Sequence, residues 1–303
     1  TLFRVRRQVY CTNQYTGENI CAAVLDTGIT KHPDFDGRIV GFSDFVNGRI
    51  GLYDDDSHGT HVSGILVGSG RLSEGKFRGI APGCRLVVGK VLNSNGDGSI
   101  DHMLRGIEWI LKNRKLWNVR ILNISIGLGL YMNGSQKERP LASVEEVWGQ
   151  GVIVVVAAGN EGPKPGTLSP IGSISKVITV GCNEGGYFGE KNSLCENHSG
   201  RGPEDSPLRK PDIVAPGTDI TSCNSLVRYT ARGYYHGYVM KSGTSMSTPI
   251  VSGAAALCLE KCPEAGNEEI KRRILYSATN LREPWYKQGW GMLNIKIIID
   301  FCY

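Results

Sequence analysis

Five short runs rich in valine and isoleucine recur along the chain, at residues 20–25, 85–91, 119–124, 152–157 and 177–180. Each has the length of a strand and is apolar almost throughout rather than alternating, the pattern of a strand buried on both faces. Segments 58–67, 100–112, 141–150, 245–260 and 267–277 read instead as helices, and in the third Leu141, Val144, Val147 and Trp148 fall close to one face. This alternation restricts the chain to an α/β fold, with a mainly parallel central sheet and helices on both faces. No internal repeat or linker-like tract interrupts it, and the glycine- and proline-containing stretch 184–209 reads as an excursion. Residues 1–303 are therefore expected to form one domain. In such sheets ligands gather at the carboxyl ends of the strands, so chemistry is sought in the residues that follow each strand.

Composition narrows the partners. No apolar run approaches the ~18 residues of a membrane span. The net charge of +5 is spread out, with one basic cluster at Arg4, Arg6 and Arg7. A nucleic-acid surface would need a basic stripe interleaved with aromatics, so neither nucleic acid nor membrane is expected as a partner. The nine cysteines are odd in number and have no repeating spacing. Cys258 and Cys262 lack a second ligand pair for zinc. Cys21, Cys84, Cys182 and Cys258 lie in or beside apolar segments, as small buried hydrophobes do. In a chain of this size, such cysteines point to a reducing, cytoplasmic compartment, with secretion the alternative. Glycine, at 40 of 303 residues, is about twice as frequent as usual, which suits tight turns and the close approach of another backbone.

Four motifs follow predicted strands or open predicted helices. Asp26-Thr27-Gly28 ends the first strand. It has no second copy to make an aspartic-protease dyad and no glycine-rich phosphate loop beside it, which leaves a carboxylate placed to orient another group. Ser57-His58-Gly59-Thr60-His61 opens a helix after three consecutive aspartates. It lacks the pattern and third ligand of a metal pair, whereas an imidazole held by a carboxylate would be a general base. Ser242-Gly243-Thr244-Ser245 enters the helix at 245. It holds more hydroxyls than capping needs, at a helix end whose free N–H groups favour negative charge. Ala158-Gly159-Asn160-Glu161 follows the fourth strand, where Asn160 is either a turn residue or an amide aimed at an oxyanion.

Together these motifs carry a resemblance. V-L-D-T-G-I (24–29), H-G-T-H-V-S-G (58–64), N-I-S-I-G (123–127), A-A-G-N-E-G (157–162), K-P-D-I-V-A-P-G (210–217) and G-T-S-M-S-T-P (243–249) resemble the subtilisin-like serine proteases, across nearly the whole chain. With Y-D-D-D-S-H-G-T-H (53–61) and the compact G-K-F-R-G-I-A-P-G (75–83), the chain looks most like the intracellular-type alkaline serine proteases of Gram-positive bacteria.

The resemblance implies a subtilisin-like fold and a serine endopeptidase that works through an acyl-enzyme. Ser245 would be the nucleophile, His58 the base and then the acid, Asp26 the group that fixes the imidazole, and Asn160 an oxyanion donor; His61 would be structural. It also implies that peptide binds as an added strand along Gly98, Ser99 and Ile100 and along Ser125, Ile126 and Gly127. The pocket for the residue before the scissile bond would be bounded by residues 125–127 and by Ala158, Gly159 and Glu161, with its floor at Leu168. Such a pocket takes a medium to large apolar residue, and Glu161 at its rim also admits a basic one. Ser247 stands where the family's motif has alanine. No cofactor is implied for the chemistry. The family's calcium loop is not recognisable between Gly64 and Gly79, and Asp34 is a candidate ligand for a structural calcium. The expected partners are protein or peptide substrates and the chain's own inhibitory N-terminal prosegment, removed by self-cleavage near Thr1.

Overall fold

The computed structural model describes residues 1–126 and 134–301. Seven parallel strands form the central sheet: β1 (Cys21–Asp26), β2 (Ile39–Asp44), β3 (Arg85–Lys90), β4 (Val119–Ile124), β5 (Ile153–Ala157), β6 (Ile178–Cys182) and β7 (Ile213–Ala215), in the order β2-β3-β1-β4-β5-β6-β7. Every residue of β1, β5 and β6 is buried, as continuous apolar runs between two layers of helices must be. The five strands expected from sequence form within one or two residues of their expected limits. β2 and β7 were not expected. β2 is half-buried from Ile39 to Ser43, with Asp44 buried, and includes Gly41, Ser43 and Asp44, so no apolar run marks it; β7 is buried but only three residues long.

The helices are α1 (Leu2–Gln8), α2 (His58–Val67), α3 (Ile100–Trp117), α4 (Gly134–Gly149), α5 (Thr244–Lys261), α6 (Asn267–Tyr276), α7 (Trp285–Gln288) and α8 (Ile295–Asp300). α2 packs on α5, and α5 crosses β4, β5 and β6, while α3 packs on α4 and on β1 and β4. α3 starts with Ser99 capping His102 N and stops at Asn118, which has φ +52°, a polar cap at one end and a left-handed residue at the other. α5 is buried from Met246 to Leu259, and its small residues allow the close approach: a Cβ on Gly253 would meet Ile80 Cβ at 2.5 Å. α4 begins at Gly134, ahead of the expected 141, and carries Pro140 inside it.

A smaller antiparallel region lies between β7 and α5. β8 (Ile220–Cys223) pairs with β11 (Tyr238–Lys241), while β9 (Arg228–Thr230) pairs with β10 (Gly233–Tyr235). No described helix is long and apolar enough to cross a membrane.

The strand order decides where a site can form. β1 lies between β3 and β4, and the chain leaves its neighbourhood toward one edge and then the other. Crevices open at the carboxyl ends of strands at such switch points. Asp26 ends β1.

Candidate active site

One wall of the crevice is held by buried polar groups. Asp26 is fully buried, and its Oδ1 accepts from Thr27 N at 2.7 Å and from His58 Nδ1 at 2.7 Å. A carboxylate accepts, so Nδ1 carries the hydrogen and Nε2 is left as the acceptor. His58 is the first residue of α2, with its side chain 23% exposed. A Cβ at Gly59 would run into Gly28 O, so only glycine lets α2 start this close to the end of β1. Burial pushes the His58 pKa down, but the charge and hydrogen bond of Asp26 outweigh it and hold the ring above its ordinary value; Asp56 adds to this and Lys241 opposes it.

Two buried charges position this wall. Asp54 Oδ1 accepts from Thr27 Oγ1 at 2.8 Å, Ser57 N at 2.9 Å and Asp56 N at 3.2 Å, and its Oδ2 accepts from Thr60 N at 2.8 Å and Thr60 Oγ1 at 2.6 Å. Lys90 Nζ donates to Thr27 O at 2.6 Å, Leu92 O at 2.7 Å and Asp55 Oδ1 at 2.6 Å. Sequence reasoning missed both roles. The available signals were an aspartate two to three residues ahead of exposed N–H groups and a lysine closing an apolar strand. His61 is fully buried, and its Nε2 donates to Ile220 O at 2.9 Å. Burial pushes its pKa to about 3, so this second histidine stays neutral beneath the site.

The opposite wall is set by backbone. Gly243 precedes α5 with φ +146°, a conformation that favours glycine. Ser245 sits in the first turn of α5, and its Oγ donates to Ser125 O at 2.8 Å. Asn160 Oδ1 accepts from Thr244 N at 3.0 Å and Thr244 Oγ1 at 3.1 Å. These bonds fix the amide's orientation and leave its NH₂ uncommitted among the described residues.

A cleft of about 640 Å³ brings His58, Ser245, Ser125, Ile126, Gly98 and Ser99 together, with Asp56, Asp97 and Lys241 as its charged lining. Gly127 lies outside the described residues. Ile100, as the first residue of α3, does not line the cleft, nor do Ala158, Gly159, Glu161 and Leu168. Ala158 is buried at the end of β5, with its carbonyl accepting from Ser169 N at 2.8 Å. Gly159 has φ +97°, Glu161 is exposed and Leu168 is buried.

Asp34 is fully buried and accepts from Gly70 N at 3.1 Å, Leu72 N at 3.1 Å and Tyr238 Oη at 2.9 Å. Its metal-capable neighbours are His32 and Cys223, with ligand atoms within 4.8 Å of one another. Calcium requires six to eight oxygens. A carboxylate already engaged by N–H and O–H donors, beside an imidazole and a thiol, does not fit it. Asp34 instead anchors the turn after α2.

Comparison with known proteins follows the same lines. The model of the subtilase family (Peptidase_S8) matches residues 17–291. Serine protease AprX of Bacillus subtilis (strain 168) is 40% identical over 269 residues, covering 86% of this chain and 61% of that protein. Subtilisin DY of Bacillus licheniformis is 32% identical over 286 residues, covering 93% of this chain and 91% of that protein. Among solved structures, sphericase superposes with a TM-score of 0.80 at 26% identity, covering 96% of this chain and 97% of that one. The chain thus spans about three fifths of the first of these relatives.

Proposed function

The chain belongs to the subtilase family, and on that premise we propose that it is a serine endopeptidase that cleaves peptide bonds through an acyl-enzyme. One observation carries this reading: the 2.7 Å contact of His58 Nδ1 with buried Asp26 faces a cleft that also holds Ser245. Ser245 Oγ is hydrogen-bonded to Ser125 O, so on this reading it turns to His58 Nε2 when substrate binds. Catalytic hydrogen bonds are often loose without substrate.

Nε2 removes the Ser245 proton as Oγ attacks the carbonyl carbon. The imidazolium that forms is stabilised by the Asp26 carboxylate, which stays ionised. Asn160 Nδ2 and Ser245 N donate to the oxyanion, beside the positive end of α5. His58 then returns the proton to the leaving amine, and water, activated by the same imidazole, releases the acyl group. The acyl-side segment of the substrate runs as an extended strand along Gly98, Ser99 and Ser125, where small side chains allow backbone pairing.

The same reading includes maturation by removal of an N-terminal inhibitory segment. It also includes a reducing compartment, supported by the free thiols of Cys11, Cys21, Cys84, Cys182, Cys195, Cys223 and Cys262. A fluorophosphonate probe tests the enzyme directly. It should label the wild type and not Ser245→Ala, with peptide hydrolysis lost in parallel; a wild type that takes no label would instead be a binding module on a protease fold. Intact mass of the longer precursor tests maturation: the wild type should shorten and Ser245→Ala should not.

A further inference from the structure

An excursion between β8 and β11 is left unused by the chemistry above. It starts at the catalytic wall: Ser57, the residue before His58, donates from Oγ to Asn224 Oδ1 at 3.0 Å and accepts from Ser225 N at 3.0 Å. It also ends there, because Lys241 lines the cleft with Ser245 and stands 3.9 Å from Asp56. Between these anchors, β9 and β10 form a two-stranded sheet of their own.

The surface of this hairpin is unusual. Leu226, Tyr229, Tyr234 and Tyr235 are exposed, and the rings of Tyr229 and Tyr234 are 5.0 Å apart. From Asn224 to Lys241 the sequence holds Arg228, Arg232 and Lys241 but no aspartate or glutamate. Neither Arg228 nor Arg232 forms an ion pair among the described residues, although both are exposed. Beside the hairpin runs a groove of about 470 Å³ lined by Tyr234, Lys31, Arg71, Pro33 and Leu52, where Asp36 is paired to Arg71 at 2.9 Å.

A merely solvated hairpin mixes charges of both signs and protects its edges. Clustered tyrosine and arginine are instead the residues that carry binding energy at interfaces. The acyl side of the substrate is assigned to Gly98 and Ser125, whereas the hairpin is anchored beside His58, through Ser57, and at Lys241, which leaves it to the leaving segment.

We propose that the hairpin at residues 226–236 is a docking surface for the leaving-group side of protein substrates and selects segments rich in aspartate and glutamate. Lys241 meets the first carboxylate beyond the scissile bond, and the planar forks of Arg228 and Arg232 bind later ones through paired N–H donors. The open strand edges offer backbone pairing to the same extended segment. This rests on the cleft being a protease site.

Three quenched peptides test it, identical up to the scissile bond and followed by acidic, neutral or basic residues. The acidic one should exceed the neutral one in kcat/KM by about tenfold, mainly through KM, with the basic one poorest. The preference should collapse in the Arg228→Ser/Arg232→Ser variant and in high salt, while a small anilide substrate with no leaving segment is cleaved equally by both proteins. Equal rates for acidic and neutral peptides, or a preference that survives the double substitution, would overturn the proposal. Failure of the wild type to cleave the anilide or take the serine label would sink the catalytic reading instead. The hairpin is tested separately by fluorescence anisotropy, using a labelled acidic peptide and the Ser245→Ala protein. Binding that weakens when Arg228 and Arg232 are also replaced supports the docking role, and binding that is absent or unchanged overturns it.

Discussion

The two walls of the cleft are built by different physics. On the histidine wall, Asp54 accepts five hydrogen bonds and Lys90 donates three, all but the one to Leu92 O joining Thr27 and residues 55–60. On the serine wall, backbone shape takes over: Gly243 at φ +146° ahead of Ser245, backed by Gly159 at φ +97° and by an exposed Asn160 tied to Thr244, neither of which lines the cleft itself. In the proposed mechanism the histidine keeps one orientation through a change of charge, which fixed charges and hydrogen bonds provide. Ser245, the proposed nucleophile, has to be reached by another chain, which an approach without bulk allows.

The sharpest test of this contrast removes the two ends of the relay. Ser245→Ala should lower kcat by about 10⁶-fold and Asp26→Asn by about 10⁴-fold, magnitudes known from serine proteases including subtilisin. Both variants should keep the wild-type circular dichroism. A comparable loss in the two would break the assignment of Asp26 as orienting rather than reacting. Asn160→Ala comes next, at about 10²–10³-fold in kcat with KM nearly unchanged, the cost known for the related subtilisin. An unchanged kcat would remove Asn160 from the oxyanion site.

Asp54→Ala probes the histidine wall through stability. It strands buried donors at a cost of about 1–3 kcal/mol each, so urea denaturation should show a loss of at least ~3 kcal/mol. Stability unchanged within error would mean that the wall is not held as described.

The smallest effect is on the pH profile. Protonated His58 cannot accept the Ser245 proton, so kcat/KM should fall as pH drops through a His58 pKa held above its ordinary value. Lys241→Met removes an opposing positive charge and should move this acid limb to higher pH. Asp56→Asn removes a supporting negative charge and should move it to lower pH. Shifts of the same sign in the two variants would refute the pairing of these charges around the ring.

Much of this was legible beforehand. β1, β3, β4, β5 and β6 announced themselves because strands buried on both faces need continuous apolar runs. α2 spans the expected residues 58 to 67, where the motif runs on into an apolar segment buried from Gly59 to Val67. β2, β7, β8, β9, β10 and β11 were not expected, buried β7 because a run of three residues is too short to mark a strand. Half-buried and fully exposed strands of Arg-Tyr-Thr or Gly-Tyr-Tyr type carry no local signal above that of a loop.

Asp26, His58, Asn160 and Ser245 stand out as candidates in the sequence because each sits in a short motif rich in glycine or hydroxyls, and the resemblance those motifs carry implies their roles. Tertiary structure decided the rest. It alone joined Ser57 to Asn224, 167 positions away, engaged both oxygens of Asp34, and turned Ser245 Oγ toward Ser125 O. It also made Asp54 and Lys90 the frame of the histidine wall. Periodicity and turn chemistry act between near neighbours and are written into the chain. The partner of a buried polar group is chosen by whichever donor or acceptor folding brings within reach, and no local pattern encodes that choice.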